Sequence, residues 1–386
     1  MHARTKWLLA ACCFVAGDAM AMQSRGALLS RFEADFGVTE SLLGLVAPAG
    51  TVGFVVAIVL VGLLAGRLDV RRTMVVGAIA MATFLFTIAL APTYWLFLFA
   101  LLAQGAAAGI FRAMDRPLLS HLYADRLGRV FVLYALAWAL GAVTGPIIVS
   151  GVLLVASWEW VYVLIGLLFL PIVAVVWRSS PPSGWNEQPL ERAALRELLS
   201  RPGIRGTLVG MALVGGIEGA IFTWLPYYAL TIMDGAIAPL ALSAYLLAYV
   251  PGRYLYARVI GSMPYLRLAI LTTVLAVPAL AAAVWTTSTV GLLVAAFLTG
   301  LLLSALFPLL SAYGVELAPA YSGPVSSLAT AATYGGIAVV PTVMGVVAEG
   351  YSIDEAMWIP VGLAVLLVLV VWRMGTVSSG RDQSTA

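Results

Sequence analysis

Long stretches without a single charged residue leave this chain few ways to fold. Residues 41–66 hold none, and neither do 73–111 or 130–158. An apolar run of about 20 residues is long enough to cross a ~30 Å hydrocarbon core as a helix. Such runs recur along the whole sequence. Composition agrees: 62% of the 386 residues are hydrophobic and 10% are charged, where soluble domains carry about 25% charged residues. The sequence therefore predicts an all-α polytopic membrane protein with the lipid bilayer as its surround. Expected spans are 7–30, 41–66, 72–91, 94–122, 128–156 and 158–177, then 205–231, 239–260, 264–286, 290–314, 323–348 and 356–373.

The chain repeats itself. Gly109-Ile-Phe-Arg-Ala-Met-Asp-Arg-Pro117-Leu-Leu-Ser120 returns 191 residues later as Gly300-Leu-Leu-Leu-Ser-Ala-Leu-Phe-Pro308-Leu-Leu-Ser311. The same offset carries Arg67 to Arg258 and Asp125 to Glu316. An offset of 195 carries Gly141 to Gly336 and Pro146 to Pro341, and one of 200 carries Asp18 to Glu218. Drift of this size is what loop insertions produce, so one six-helix bundle is written twice. The copies differ at Arg112, Asp115 and Arg116, which correspond to Leu303, Leu306 and Phe307. Charge that the scaffold does not need twice is a candidate for function.

Expected domains are 1–178 and 205–374, a polar linker at 179–204 with a short amphipathic helix over 190–199, and a polar, disordered tail at 375–386. His2, Arg4 and Lys6 ahead of an apolar run imitate a signal peptide. Asp18 at the supposed cleavage site, with its counterpart Glu218, argues for a retained first helix. Cys12 and Cys13 lie inside that run and read as packing residues. One set of connections holds Arg4, Lys6, Arg67, Arg71, Arg72, Arg126, Arg129, the linker arginines, Arg258, Arg267, Arg373 and Arg381. The other set has Arg31 as its only basic residue. By the positive-inside rule, both termini and the linker are cytoplasmic, in the plasma membrane.

Twelve spans in two like-oriented halves around a polar loop resemble the major facilitator superfamily of secondary transporters. Local motifs join in. Gly62-Leu-Leu-Ala-Gly66-Arg67-Leu-Asp69-Val-Arg71-Arg72 is similar to the family's loop between helices 2 and 3, with Gly66 at the acidic position and Asp69 at the second glycine. Helix 4 keeps Gln104-Gly105 of the family's arginine–glutamine motif, without the arginine. Helix 5 has Gly141-Ala-Val-Thr-Gly145-Pro146, part of a drug/proton antiporter motif, without the trailing glycine pair. The resemblance implies two six-helix bundles related by a pseudo-twofold axis along the membrane normal. It also implies that helices 1, 4, 7 and 10 line a central cavity.

Ionisable side chains at bilayer depth cost at least ~2.5–3.5 kcal/mol each, so each needs a partner or a wet cavity. Asp18 falls about halfway along helix 1, and Glu218 a little past the middle of helix 7. The alternative for both is a helix–helix contact that only holds the bundle together. Arg25 lies seven residues past Asp18, on nearly the same helical face. Gln104, Ala108, Arg112 and Asp115 form one stripe on helix 4. Arg112 and Asp115 can pair locally at i, i+3; in the sharper reading Arg112 and Arg25 offer planar forks to a carboxylate or phosphate. Trp224, beside Pro226, Tyr227 and Tyr228, reads either as part of an outer gate or as an aromatic belt residue. The resemblance to sugar-porter-like members implies an inner gate of Arg67, Asp125, Arg258 and Glu316.

Lys6 is the only lysine, which excludes a Walker-type phosphate loop. His2 and His121 are the only histidines, and no ligand-spaced cysteines occur. No enzyme activity, cofactor, metal or nucleic-acid partner is expected. The expected function is secondary active transport of a polar small organic solute by alternating access, with an anionic group as the sharper form and a proton as coupling ion. A drug or metabolite efflux antiporter is the alternative, and a non-transporting receptor or scaffold a remote one. A monomer is favoured.

Overall fold

The computed structural model describes residues 3–64, 67–123, 126–180, 197–259, 262–318 and 321–384. The chain divides into two compact units, Met1–Leu190 and Glu191–Ala386. The first unit holds α1 (Ala3–Ala27), α2 (Val46–Leu64), α3 (Val70–Ala89), α4 (Tyr94–Leu122), α5 (Leu127–Leu153) and α6 (Glu159–Trp177). The second holds α7 (Pro202–Ala229), α8 in two pieces (Leu240–Leu247 and Tyr249–Val259), α9 (Tyr265–Trp285), α10 in two pieces (Thr289–Leu303 and Leu306–Leu317), α11 (Ser322–Gly350) and α12 (Trp358–Ser384). Among the described residues, 11 helical stretches are long and apolar enough to cross a membrane. The broken α8 supplies the twelfth segment.

The caps follow local chemistry. Asp69, standing where the family motif has glycine, is the N-cap of α3 and accepts from the backbone N–H of Arg72 at 2.7 Å. Thr93 caps α4 and Ser288 caps α10 in the same way. After α1 the chain breaks at Leu28 and runs into a short helix, Leu29–Phe36, which buries Leu29 and Phe32. That helix ends at Gly37, whose φ of 62° is the left-handed conformation glycine adopts without strain. Phe32 packs edge-on to Trp158 at 5.1 Å, and the Trp158 indole N–H donates to Asp35.

Three expectations need correction. The spans 239–260 and 290–314 are not continuous helices. Pro251 cannot donate to the carbonyl of Leu247, nor Pro308 to that of Ser304, and the breaks fall at those turns. Pro117, the counterpart of Pro308, sits inside an unbroken α4, so the proline permits a break without forcing one. The polar end of the chain, expected to be disordered from 375 onward, continues α12 to Ser384. The short amphipathic helix expected over 190–199 lies mostly outside the described residues. Its described end docks on the second unit: Leu198 packs with Ile204, Ala318 and Val325. Glu197 accepts from Arg201 at 2.8 Å and from the Tyr321 hydroxyl at 3.0 Å, and these bonds hold its carboxyl below the usual range.

The repeat reappears as packing. In the first unit α1 packs on α5 and α6, α2 on α4, and α3 on α4 and α6. In the second, α7 packs on α11 and α12, α8 on α10, and α9 on α10 and α12. Close glycine contacts repeat too. A Cβ on Gly141 would collide with the carbonyl oxygen of Ala16, and one on Gly336 with that of Ala212. A Cβ on Gly109 would press on the carbonyl of Phe54, and one on Gly300 on that of Tyr245. Small residues are what let helices approach in lipid, where apolar burial gives no net drive between them. Gly141→Ala should therefore separate α5 from α1 and destabilise the purified protein by about 1–3 kcal/mol. Gly151→Ala, where a Cβ meets nothing within 4 Å, should leave the thermal midpoint unchanged or slightly raised. Equal midpoints for the two variants would refute the close-contact reading.

Candidate functional site

The polar residues of α1 and α4 meet inside the first unit. Arg112 Nη1 lies 3.1 Å from Asp18 Oδ2, with each side chain 11% exposed. The guanidinium also lies over the Phe54 ring of α2, 5.2 Å from its centroid. This is a nearly buried ion pair, closed on one side by an aromatic face, a geometry that favours a cation. Closer to the Leu28 end of α1, Arg25 Nη2 donates to Gln104 Oε1 and fills the space above Gly50, where any Cβ would strike the guanidinium. Gln104 Nε2 reaches Met81 Sδ of α3 at 3.0 Å. Asp18 and Arg25 thus both reach α4, as their shared face implies.

The local pairing open to Arg112 and Asp115 gives way to two other bonds. Arg112 turns to Asp18 across the helix pair, while the buried Asp115 accepts from the Tyr134 hydroxyl of α5 at 2.5 Å. Arg116 lies over the same Tyr134 ring at 5.6 Å.

In the second unit Glu218 Oε1 accepts from Tyr249 at 2.8 Å, and the Tyr249 hydroxyl stands 3.0 Å from that of Tyr245. Arg253 lies over the Tyr249 ring at 5.3 Å. Tyr245, Tyr249 and Arg253 recur every four residues of α8, a stripe legible at helical spacing and missed in favour of the charges alone. Trp224 is fully buried and donates from Nε1 to the carbonyl of Pro341 at 3.0 Å, tying α7 to α11. Of the expected inner gate, Arg67, Arg258 and Glu316 are exposed, and Asp125 lies outside the described residues. Arg258 rests on Tyr254 of its own helix at 4.4 Å, and among the described residues no ion pair joins it to Glu316.

Comparison with known proteins fits this architecture. The family model of the major facilitator superfamily matches residues 8–240. The chain belongs to the major facilitator superfamily. A multidrug resistance protein B homolog of Mycobacterium tuberculosis (strain CDC 1551 / Oshkosh) is 25% identical over 185 residues, 47% of this chain. The match spans about a third of that relative, 34% of its length. Among solved structures, an inward-facing bacterial homolog of the human lysosomal transporter Spinster has a TM-score of 0.82 at 12% identity, covering 97% of both chains. A mutant of the nucleoside transporter NupG gives 0.83 at 13% identity, covering 97% of this chain and 100% of the other. The E. coli fucose:proton symporter FucP gives 0.64 at 19%, covering 97% and 99%. At such identities the likeness establishes the superfamily fold, that of an integral membrane protein.

Removing either charge of the Asp18–Arg112 pair leaves the other in a nearly dry site, which costs more than removing both. Asp18→Asn and Arg112→Gln should each lower the thermal midpoint, and the double variant should regain part of the loss. Strict additivity of the two single effects would show that the charges do not interact.

Proposed function

We propose that this member of the superfamily is a secondary active transporter, working by alternating access on a polar small organic solute that carries an anionic group, with a proton as coupling ion. The observation that carries the reading is the Asp18–Arg112 pair. A proton on Asp18 cancels the carboxylate charge and leaves the guanidinium to a carboxylate or phosphate of the solute. By linkage, each of the two ligands then favours binding of the other. Arg25 and Gln104 extend the polar surface on the same helix pair, and Asp115 and Glu218 are further acids that the coupled step can use. Trp224 acts as packing support and not as a gate.

Asp18→Asn should still exchange labelled solute between liposome compartments, at temperatures where the variant is folded. It should lose accumulation driven by a pH gradient, its inside-to-outside ratio falling to unity. Should the variant concentrate solute as the parent does, Asp18 is structural only.

Efflux of drugs or metabolites is the second reading, favoured by the mycobacterial relative and by Gly141–Pro146 of α5. The packing of Gly141 on Ala16 gives that motif a purely structural role as well. Expression in cells lacking their own exporters separates the two readings, since only an efflux protein raises resistance to dyes and drugs.

The one-sided arginines support a plasma-membrane protein with cytoplasmic termini and linker. Single cysteines at Ser183 and Thr385 should react with an impermeant maleimide only after the cells are opened. Arg67, Asp125, Arg258 and Glu316 are proposed as an inner gate of charges on the ends of α2, α4, α8 and α10. Exposed pairs are individually worth under ~1 kcal/mol, yet several together bias a two-state equilibrium. Glu316→Gln should increase labelling of an inner-face cysteine, and unchanged labelling removes Glu316 from the gate.

A further inference from the structure

A hydrogen-bond count in the second unit points to a ligand. Tyr249 donates its single hydroxyl proton to Glu218 Oε1. The proton between Tyr245 and Tyr249 must then come from Tyr245. The chain therefore runs Tyr245 to Tyr249 to Glu218, and the Tyr245 oxygen is left able only to accept. Tyr245, 0% exposed, lines a small cavity among α7, α8, α9, α10 and the start of α12 with Ile221, Leu225, Leu280 and Met357. Thr299 of α10 lines it too, 2% exposed, and its hydroxyl has no hydrogen-bond partner among the described residues. Five other buried threonines differ. Thr51, Thr207, Thr272, Thr273 and Thr333 are also buried in helices, and each donates to a carbonyl three or four residues back. Thr299 makes no such bond, so its donor remains to be matched, and the Tyr245 oxygen offers only an acceptor.

We propose that this cavity is a binding site for one hydroxyl-bearing molecule, water in the resting protein, which accepts from Thr299 Oγ1 and donates to the Tyr245 oxygen. At about 10 Å³ the cavity is the smallest size that takes a single water. The functional sense of the site rests on Glu218 serving as a coupling acid. In the row water–Tyr245–Tyr249–Glu218 each hydroxyl passes one proton on and takes one up. A proton reaching the water arrives at Glu218 with no side chain leaving its place.

The test uses the full-length protein in detergent and needs no transport, so its failure is distinct from failure of the transport reading. If the site is occupied, Thr299→Val removes a partner of the bound water and lowers the thermal midpoint by about 2–4 °C. Thr299→Ser, which keeps the hydroxyl, stays near the parent. If the site is dry, Thr299→Val removes a buried unmatched donor and raises the midpoint. A rise or no change overturns the proposal. X-ray radiolytic footprinting gives a second readout that needs no variant. Water activated in the cavity should oxidise Tyr245 and Met357 in the parent, and their protection, despite ready oxidation of exposed residues, also overturns it.

Discussion

Helices in lipid gain little by burying apolar surface against each other, because the acyl chains they leave are as apolar as the helices they meet. What holds a bundle together is the closeness of its contacts, and here glycine sets that closeness. Gly53, Gly105, Gly109 and Gly141 in the first unit, and Gly215, Gly300 and Gly336 in the second, each let a neighbouring backbone carbonyl into the space a Cβ would fill. These contacts fix α2 against α4 and α1 against α5, then α8 against α10 and α7 against α11. The position of every buried charge follows. Asp18 lies on α1 between Ala16 and Met20, which α5 grips through Gly141 and Gly145. Arg112 follows Gly109 on α4 by less than one turn.

The two units share this frame and differ in what they place on it. Gly109 meets Phe54 in the first unit, and Gly300 meets Tyr245 in the second, both at an offset of 191 residues. In one copy the residue at that position is an aromatic face beneath Arg112. In the other it is a phenol that begins a hydrogen-bonded row to Glu218. A guanidinium answers one acid and hydroxyls the other. The former neutralises a full negative charge; the latter offer dipoles and exchangeable protons. One scaffold therefore carries two acids with different chemistry, and the difference rests on a few substitutions such as Arg112 against Leu303.

Much of this is legible in the sequence. Helix positions follow from long uncharged runs, because the bilayer punishes charge and sets the length of each crossing. The repeat is visible because glycine and proline mark backbone demands that side-chain drift does not erase. Pairing was less legible. Asp115 three residues from Arg112 suggests a local bond, yet helix packing brings Asp18 and Tyr134 closer to the two polar groups. Tyr245, Tyr249 and Arg253 escaped notice because tyrosine in an apolar run reads equally as packing. Only the partner across the helix interface distinguishes a phenol that packs from one that donates. The breaks in α8 and α10 were hidden for a similar reason: Pro117 and Pro308 occupy equivalent positions, and one helix is broken while the other is not.

That last contrast bears on how the second unit can move. Gly252, five residues past the Leu247 end of the first piece of α8, lies against Ser304 and the carbonyl of Leu301 at the break in α10. The two interruptions are therefore neighbours in the same helix pair. A helix without its full ladder of hydrogen bonds bends more easily than a continuous one, and two such helices in contact can bend together without losing the contact between them. In the first unit the equivalent stretches of α2 and α4 are continuous, and Arg112 and Asp18 tie α4 to α1. The Tyr245–Tyr249 pair straddles the break in α8, with Tyr245 on one piece and Tyr249 on the other. Any bend at Ala248 must change their separation, and with it the hold on Glu218. Geometry at the break and the chemistry of the buried acid are thus linked by one pair of hydroxyls.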